Sequence, residues 1–210
     1  MKMIAIVDYG MGNLRSVEKA LQRVGGDAHI VRAPAELAGA DKLVLPGVAA
    51  FGQAVHQLRR RRLDQPICRA VRAGTPYLGF CLGLQLLFEV SYEHGEHTGL
   101  GIVRGQVRRF DFSHLADGSR LAIPHMGWNQ ILFDPQSPCP MLEGIRSGDY
   151  AYFAHSYHVV PADGDLTATT TEYGYPFASS VWKGNVFATQ FHPEKSQAVG
   201  LRLLENFVRL

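Results

Sequence analysis

Pro76-Tyr77-Leu78-Gly79-Phe80-Cys81-Leu82-Gly83-Leu84-Gln85-Leu86-Leu87-Phe88 is an apolar run interrupted by two glycines, one cysteine and one amide. It reads as a short strand that breaks at Gly79 and resumes as a helix, with Cys81 held at the break. This is how an α/β fold presents a nucleophile. Small flanking residues let the backbone turn sharply, and the first amides of the following helix favour an anionic side chain there. Taken alone, a buried-looking cysteine is more often a small core residue than a catalyst.

Working outward, Met3 to Val7 is an apolar strand that ends in Asp8-Tyr9-Gly10-Met11-Gly12-Asn13. Leu14 to Val24 follows as a helix with Leu14, Val17 and Leu21 on one face. Ala28 to Val31 and Lys42 to Leu45 are the next strands, and Phe51 to Arg62 and Pro66 to Ala73 the next helices. Strands alternating with helices imply a parallel sheet covered on both faces. From about 102 to 190 the pattern changes. Gln106 to Phe110, Gln130 to Phe133, Ala151 to His155, Ala168 to Thr171 and Val181 to Gln190 alternate or are β-branched, which suggests an antiparallel extension. Leu201 to Leu210 closes the chain as a helix. The expected fold is α/β in three layers, with a mostly parallel central sheet, helices on both faces and an antiparallel extension, in one domain over 1–210.

Near the end of the chain, Val186-Phe187-Ala188-Thr189-Gln190-Phe191 runs into His192-Pro193-Glu194. A strand end offering an imidazole and a carboxylate two residues apart can complete a Cys-His-Glu triad. One ring nitrogen would face the Cys81 thiol and the other would be fixed by Glu194, with Pro193 stiffening the turn between them. In open α/β sheets, loops at the carboxyl ends of strands bind ligands, and each motif is expected in such a loop.

Composition narrows the classes. The 210 residues are 46% hydrophobic with a formal net charge of +2, which suits a globular chain able to bury a sizeable core. No apolar run approaches a membrane span, and Asp8 interrupts the N-terminal strand too early for a signal peptide, so the expected location is cytoplasmic. Three widely spaced cysteines at 68, 81 and 139 point to neither a disulfide framework nor a metal site. Arg59-Arg60-Arg61-Arg62 reads as a solvated helix end without aromatic interleaving, so no nucleic-acid partner is expected. His94 and His97 have metal-like spacing but no completing ligand, and read as loop residues.

Gly79-Phe-Cys81-Leu-Gly83-Leu-Gln85 together with Phe191-His192-Pro193-Glu194 resembles the class I, triad-type glutamine amidotransferases. Asp8 to Asn13, Pro46-Gly47-Val48, Pro124-His-Met-Gly-Trp-Asn129, Phe153-Ala-His-Ser-Tyr157 and His192-Pro-Glu-Lys-Ser196 are similar to the glutaminase subunits of imidazole glycerol phosphate synthase. The likeness runs from residue 3 to the C-terminal helix. It implies that Cys81, His192 and Glu194 hydrolyse L-glutamine, without cofactor or metal. The oxyanion donors implied are the N–H of Leu82 and the Gly47-Val48 peptide, although Ala49 stands where another glycine is expected. Gln85, Glu93, Ser156 and Tyr157 are implied to bind glutamine. Asn13, Trp128, Tyr152 and Lys195 are implied to meet a (β/α)₈ cyclase subunit in a heterodimer.

Three alternatives stay open on the sequence. One is a glutaminase serving another ammonia-dependent synthase, which fits the triad but not Pro124 to Asn129. Another is a paralogue feeding a cyclase-like partner. The third is a catalytically silent glutamine-binding regulator, which would not need all three triad residues.

Overall fold

A computed structural model describes residues 2–113 and 121–210. Its first part follows the expected alternation: β1 (Met3–Val7), α1 (Leu14–Arg23), β2 (Asp27–Val31), α2 (Pro34–Leu37), β3 (Lys42–Leu45), α3 (Phe51–Arg60), α4 (Asp64–Arg72) and β4 (Tyr77–Phe80). The remainder comprises α5 (Leu82–Gln85), β5 (Phe88–Ser91), β6 (His97–Thr98), β7 (Val103–Arg109), β8 (His125–Gln130), β9 (Tyr150–His155), β10 (Tyr157–Pro161), β11 (Thr167–Glu172), β12 (Pro176–Lys183), β13 (Val186–Thr189) and α6 (Gln197–Arg209).

The main sheet runs β2-β1-β3-β4-β13-β12-β10-β7-β5-β6, with β11 paired on β12. From β2 to β13 every pair is parallel. The step from β13 to β12 reverses direction, and the antiparallel extension begins there. Alternate residues of β1 serve opposite faces, as the strand period of two requires. Ala5 and Val7 pack with Phe51, Leu58, Ile67 and Val71 of α3 and α4, whereas Ile4 and Ile6 pack with Val17 and Leu21 of α1 and Leu203, Leu204 and Phe207 of α6. These are the two outer layers of the expected three.

Three local expectations change. The helix after Cys81 is a single turn, because the carbonyls of Leu86 and Leu87 accept from the amides of Leu100 (2.8 Å) and Ile102 (2.9 Å) and draw the chain into β5. Val181 to Gln190 is not one strand. Gly184 takes φ 57° and turns β12 back as β13, pairing Lys183 with Val186. The expected strand at Gln130 to Phe133 lies earlier, at β8. The Pro124 to Asn129 motif is therefore largely a strand, paired with β9 in a separate two-stranded sheet, and not a loop.

Candidate active site

Cys81 stands between β4 and α5 with φ 51° and ψ −102°, a conformation that a residue with a side chain rarely adopts. Its amide is held by Thr189 O of β13 at 2.7 Å. The flanking glycines are required by close approach. A Cβ on Gly83 would overlap Leu45 O of β3, and one on Gly79 would press on Gly83 itself at 2.7 Å. Turn and sheet are thus in backbone contact, and the thiol is lifted above the carboxyl edge of the parallel strands.

The imidazole arrives from the end of β13. His192 N bonds Tyr152 O of β9 at 2.9 Å, and the Ser196 hydroxyl donates to His192 O at 2.7 Å. With its backbone pinned, the ring places Nδ1 2.9 Å from Glu194 Oε1, and both side chains are almost wholly buried. Burial alone would favour a neutral ring. Hydrogen bonds to Cys81 and Glu194, and their charges, outweigh it and raise His192 to about 10. An imidazolium facing sulfur stabilises a thiolate. The second Glu194 oxygen is buried with no hydrogen-bond partner among the described residues, so His192 supplies the main compensation for that charge.

A cavity of about 290 Å³ opens on this centre. Cys81, Leu82, Val48, Gln85, Glu93, Ser156, Tyr157, His192 and Lys195 all line it, so residues expected to be nucleophile, oxyanion donors and substrate contacts share one hollow. Gly47 sits behind the wall, where a Cβ would collide with the Tyr9 hydroxyl and Leu82. Glu93 accepts from Phe51 N at 2.6 Å through one oxygen. A larger hollow of about 620 Å³, lined among others by His56, His94 and His97, shares Glu93 but holds no triad residue.

Four residues expected at a partner surface divide in two. Trp128, 46% exposed, meets Tyr152 edge-to-face across the β8–β9 ladder at 5.9 Å, and Lys195 Nζ lies 5.6 Å from the Tyr152 ring. Met126 and Tyr150 extend this patch into solvent. Asn13 is exposed at the start of α1, the helix that packs against the turn Pro193–Lys195.

Gln190 was not anticipated. It is fully buried, its Nε2 donates to Cys81 Sγ at 3.6 Å, and its Oε1 accepts from Gln85 Nε2 at 3.3 Å. An amide preceding Phe-His-Pro-Glu on a strand gives no sign of which way it points. Gln85 spends its other hydrogen on Tyr157 O at 3.0 Å, which leaves Oε1 as the atom it can offer a ligand. The arginines at 59–62 are all exposed, as expected of a solvated helix end, and two of them also bond backbone: Arg59 donates to Thr98 O at 3.0 Å and Arg61 to Asp8 O at 3.4 Å. Among the described residues no group of three or more His, Cys, Asp or Glu could hold a metal ion, and no helix is long and apolar enough to cross a membrane.

The family model for class-I glutamine amidotransferases matches residues 5–210, a span that includes Cys81, His192 and Glu194. The chain belongs to the class-I glutamine amidotransferases. It is 55% identical over 205 residues to the imidazole glycerol phosphate synthase subunit HisH of Syntrophotalea carbinolica, covering 98% of each chain. With the Aquifex aeolicus subunit of the same name it shares 53% identity over 205 residues, covering 97% of this chain and 95% of that one. Among solved structures, the amidotransferase fold recurs in PurLQS from Thermotoga maritima, with a TM-score of 0.74, 19% identity, and coverage of 100% and 99%.

Proposed function

We propose that this amidotransferase is the glutaminase subunit of an imidazole glycerol phosphate synthase. In histidine biosynthesis it would release ammonia from glutamine for a cyclase subunit that makes imidazole glycerol phosphate and an aminoimidazole carboxamide ribotide. The glutaminase chemistry is carried by His192, held between the Cys81 sulfur and Glu194 at the floor of an amino-acid-sized cavity, and the subunit assignment is supported by the likeness to the HisH subunits over nearly the whole length.

The Cys81 thiolate attacks the side-chain amide carbon of glutamine. Negative charge develops on the amide oxygen, for which Leu82 N–H is available, because the first residue of a helix has no carbonyl partner within it. The Gly47-Val48 peptide is the second donor. As the tetrahedral intermediate collapses, His192 gives its proton to the departing nitrogen, leaving ammonia and a Cys81 thioester. Water, deprotonated by the now neutral His192, hydrolyses the thioester to glutamate and restores the ion pair. Throughout, Glu194 accepts from Nδ1 and keeps the imidazole in the required orientation. The Glu93 carboxylate is placed to receive the glutamine ammonium, Gln85 Oε1 the amide N–H, and the Ser156-Tyr157 backbone the carboxylate.

The patch of Trp128, Tyr152 and Lys195, together with Asn13 at the start of α1, is the docking face for a (β/α)₈ cyclase in a cytoplasmic heterodimer. Aromatic side chains with a neighbouring cation suit an interface centre. The test is co-purification with the cyclase, followed by glutamate release and cyclisation assays. Cys81→Ala should abolish glutamine-dependent turnover and leave ammonia-dependent cyclisation intact. Glutamine hydrolysis at the wild-type rate in Cys81→Ala would remove the nucleophile assignment.

A further inference from the structure

Two buried histidines outside the triad stand in one hydrogen-bonded row. Asn129 Nδ2 lies 3.3 Å from His125 Nε2, His125 Nδ1 lies 3.2 Å from His155 Nε2, and His155 Nδ1 lies 2.8 Å from Tyr157 O. The direction of each bond is fixed from both ends. Asn129 Oδ1 already accepts from Gln130 N at 2.8 Å, so its Nδ2 faces His125 as a donor and His125 Nε2 must accept. At the other end a backbone carbonyl can only accept, so His155 carries its hydrogen on Nδ1. The middle bond then runs from His125 Nδ1–H to His155 Nε2, and both assignments agree.

The row does not stop at Tyr157. The same carbonyl accepts from Gln85, Gln85 donates to Gln190, and Gln190 donates to Cys81 Sγ. We propose that His125 and His155, each as its Nδ1–H tautomer, are positioning residues that orient Gln85 and Gln190 against the Cys81 sulfur through the Tyr157 carbonyl. The proposal rests on the amidotransferase reading of this site and adds to it a buried support for the nucleophile. Both rings are kept uncharged by burial, which lowers His125 to about 4 and His155 well below the ordinary histidine range. Protonating either ring would put a donor against a donor. Stacking of His125 on Phe153 at 4.8 Å and Tyr173 at 4.0 Å holds the first ring in plane.

The test has two readouts. Selective ¹⁵N-histidine NMR of the full chain at neutral pH, with His125→Gln and His155→Gln to assign signals, should show both rings protonated on Nδ1 and not Nε2. The opposite tautomer at either ring would overturn the relay. In the cyclase complex, His125→Phe keeps the stacked ring but cannot pass the bond on. It should lower kcat/KM for glutamine roughly tenfold or more, as misplacement of reacting groups does, while ammonia-driven cyclisation stays at the wild-type rate. His125→Gln, which retains one donor and one acceptor, should recover most of the loss. A fully active His125→Phe complex, or a His125→Gln complex no better than it, would overturn the positioning role. A wild-type complex inert to glutamine would instead sink the glutaminase reading of the site, which the tautomer measurement does not depend on.

Discussion

Gln190 directs its side-chain amide at the Cys81 sulfur from 3.6 Å while accepting from Gln85 at 3.3 Å. A neutral donor on a thiolate stabilises the anion, and a hydrogen bond to a charged group contributes about 1.5–3 kcal/mol. Gln190→Leu should therefore slow both glutamine turnover and alkylation of Cys81 by iodoacetamide, roughly tenfold or more. Gln190→Glu should be worse, since it sets a carboxylate against the sulfur. Unchanged alkylation in both variants would show that the amide does not act on the thiolate.

The His192–Glu194 pair carries a pH signature. With an ordinary value of 6.5 and a folded value of about 10, the folded chain keeps a proton that the unfolded chain releases between these limits. The contribution is therefore fully present below about 6.5 and is lost as pH rises toward about 10. Denaturant unfolding of wild type and His192→Gln should show the widest stability gap near pH ~6 and a narrower one by pH ~9. A gap that widens with pH would contradict the imidazolium. In turnover, His192→Ala should cost on the order of 10² or more, and Glu194→Gln less, because it loosens the ring without removing the proton carrier.

Much of this site was legible because its chemistry is local in sequence. Cys81 with its glycines, and His192 with Glu194, each sit at the end of an apolar strand, so the residues and the loops that present them can be read together. Gln190 was hidden because it stands one residue past the end of β13, where the strand period of two no longer says which way a side chain points. β8 was misplaced for a related reason. It exposes Met126 and Trp128 and buries His125, the reverse of the hydrophobic alternation by which strands are recognised. The single-turn α5 was read as a longer helix because Leu84 to Phe88 is apolar apart from Gln85, and only the distant amides of Leu100 and Ile102 decide otherwise.

Away from the site, Lys42 is fully buried and donates to Phe207 O and Val208 O, both at 2.7 Å, at the C-terminal end of α6. It satisfies last-turn carbonyls that the helix itself cannot. Lys42→Met should destabilise the chain by about 1–3 kcal/mol without altering glutamine turnover in the assembled complex at a temperature where both proteins are folded. Stability equal to wild type in chemical denaturation would show that these bonds contribute nothing net.

The last prediction is that the isolated chain is a slow glutaminase that its partner accelerates. Val48, 51% exposed, lies over the cavity beside Cys81, and the peptide before it leaves Gly47, which is wedged against the Tyr9 hydroxyl and Leu82. If that peptide turns its N–H toward the cavity only in the active state, a partner at Trp128 or Lys195 can shift the balance without touching the triad. Moving such a switch from mostly off to mostly on takes about 5.5 kcal/mol of differential binding. Glutamate release should be measured for the chain alone, with the cyclase, and with cyclase plus an acceptor analogue, and should rise at each step. Trp128→Ala should reduce the second rate and leave the first unchanged. Gly47→Ala, whose added Cβ would meet Tyr9 and Leu82, should hold all three rates low. Full activity in the lone chain would dismiss the switch and leave the triad standing.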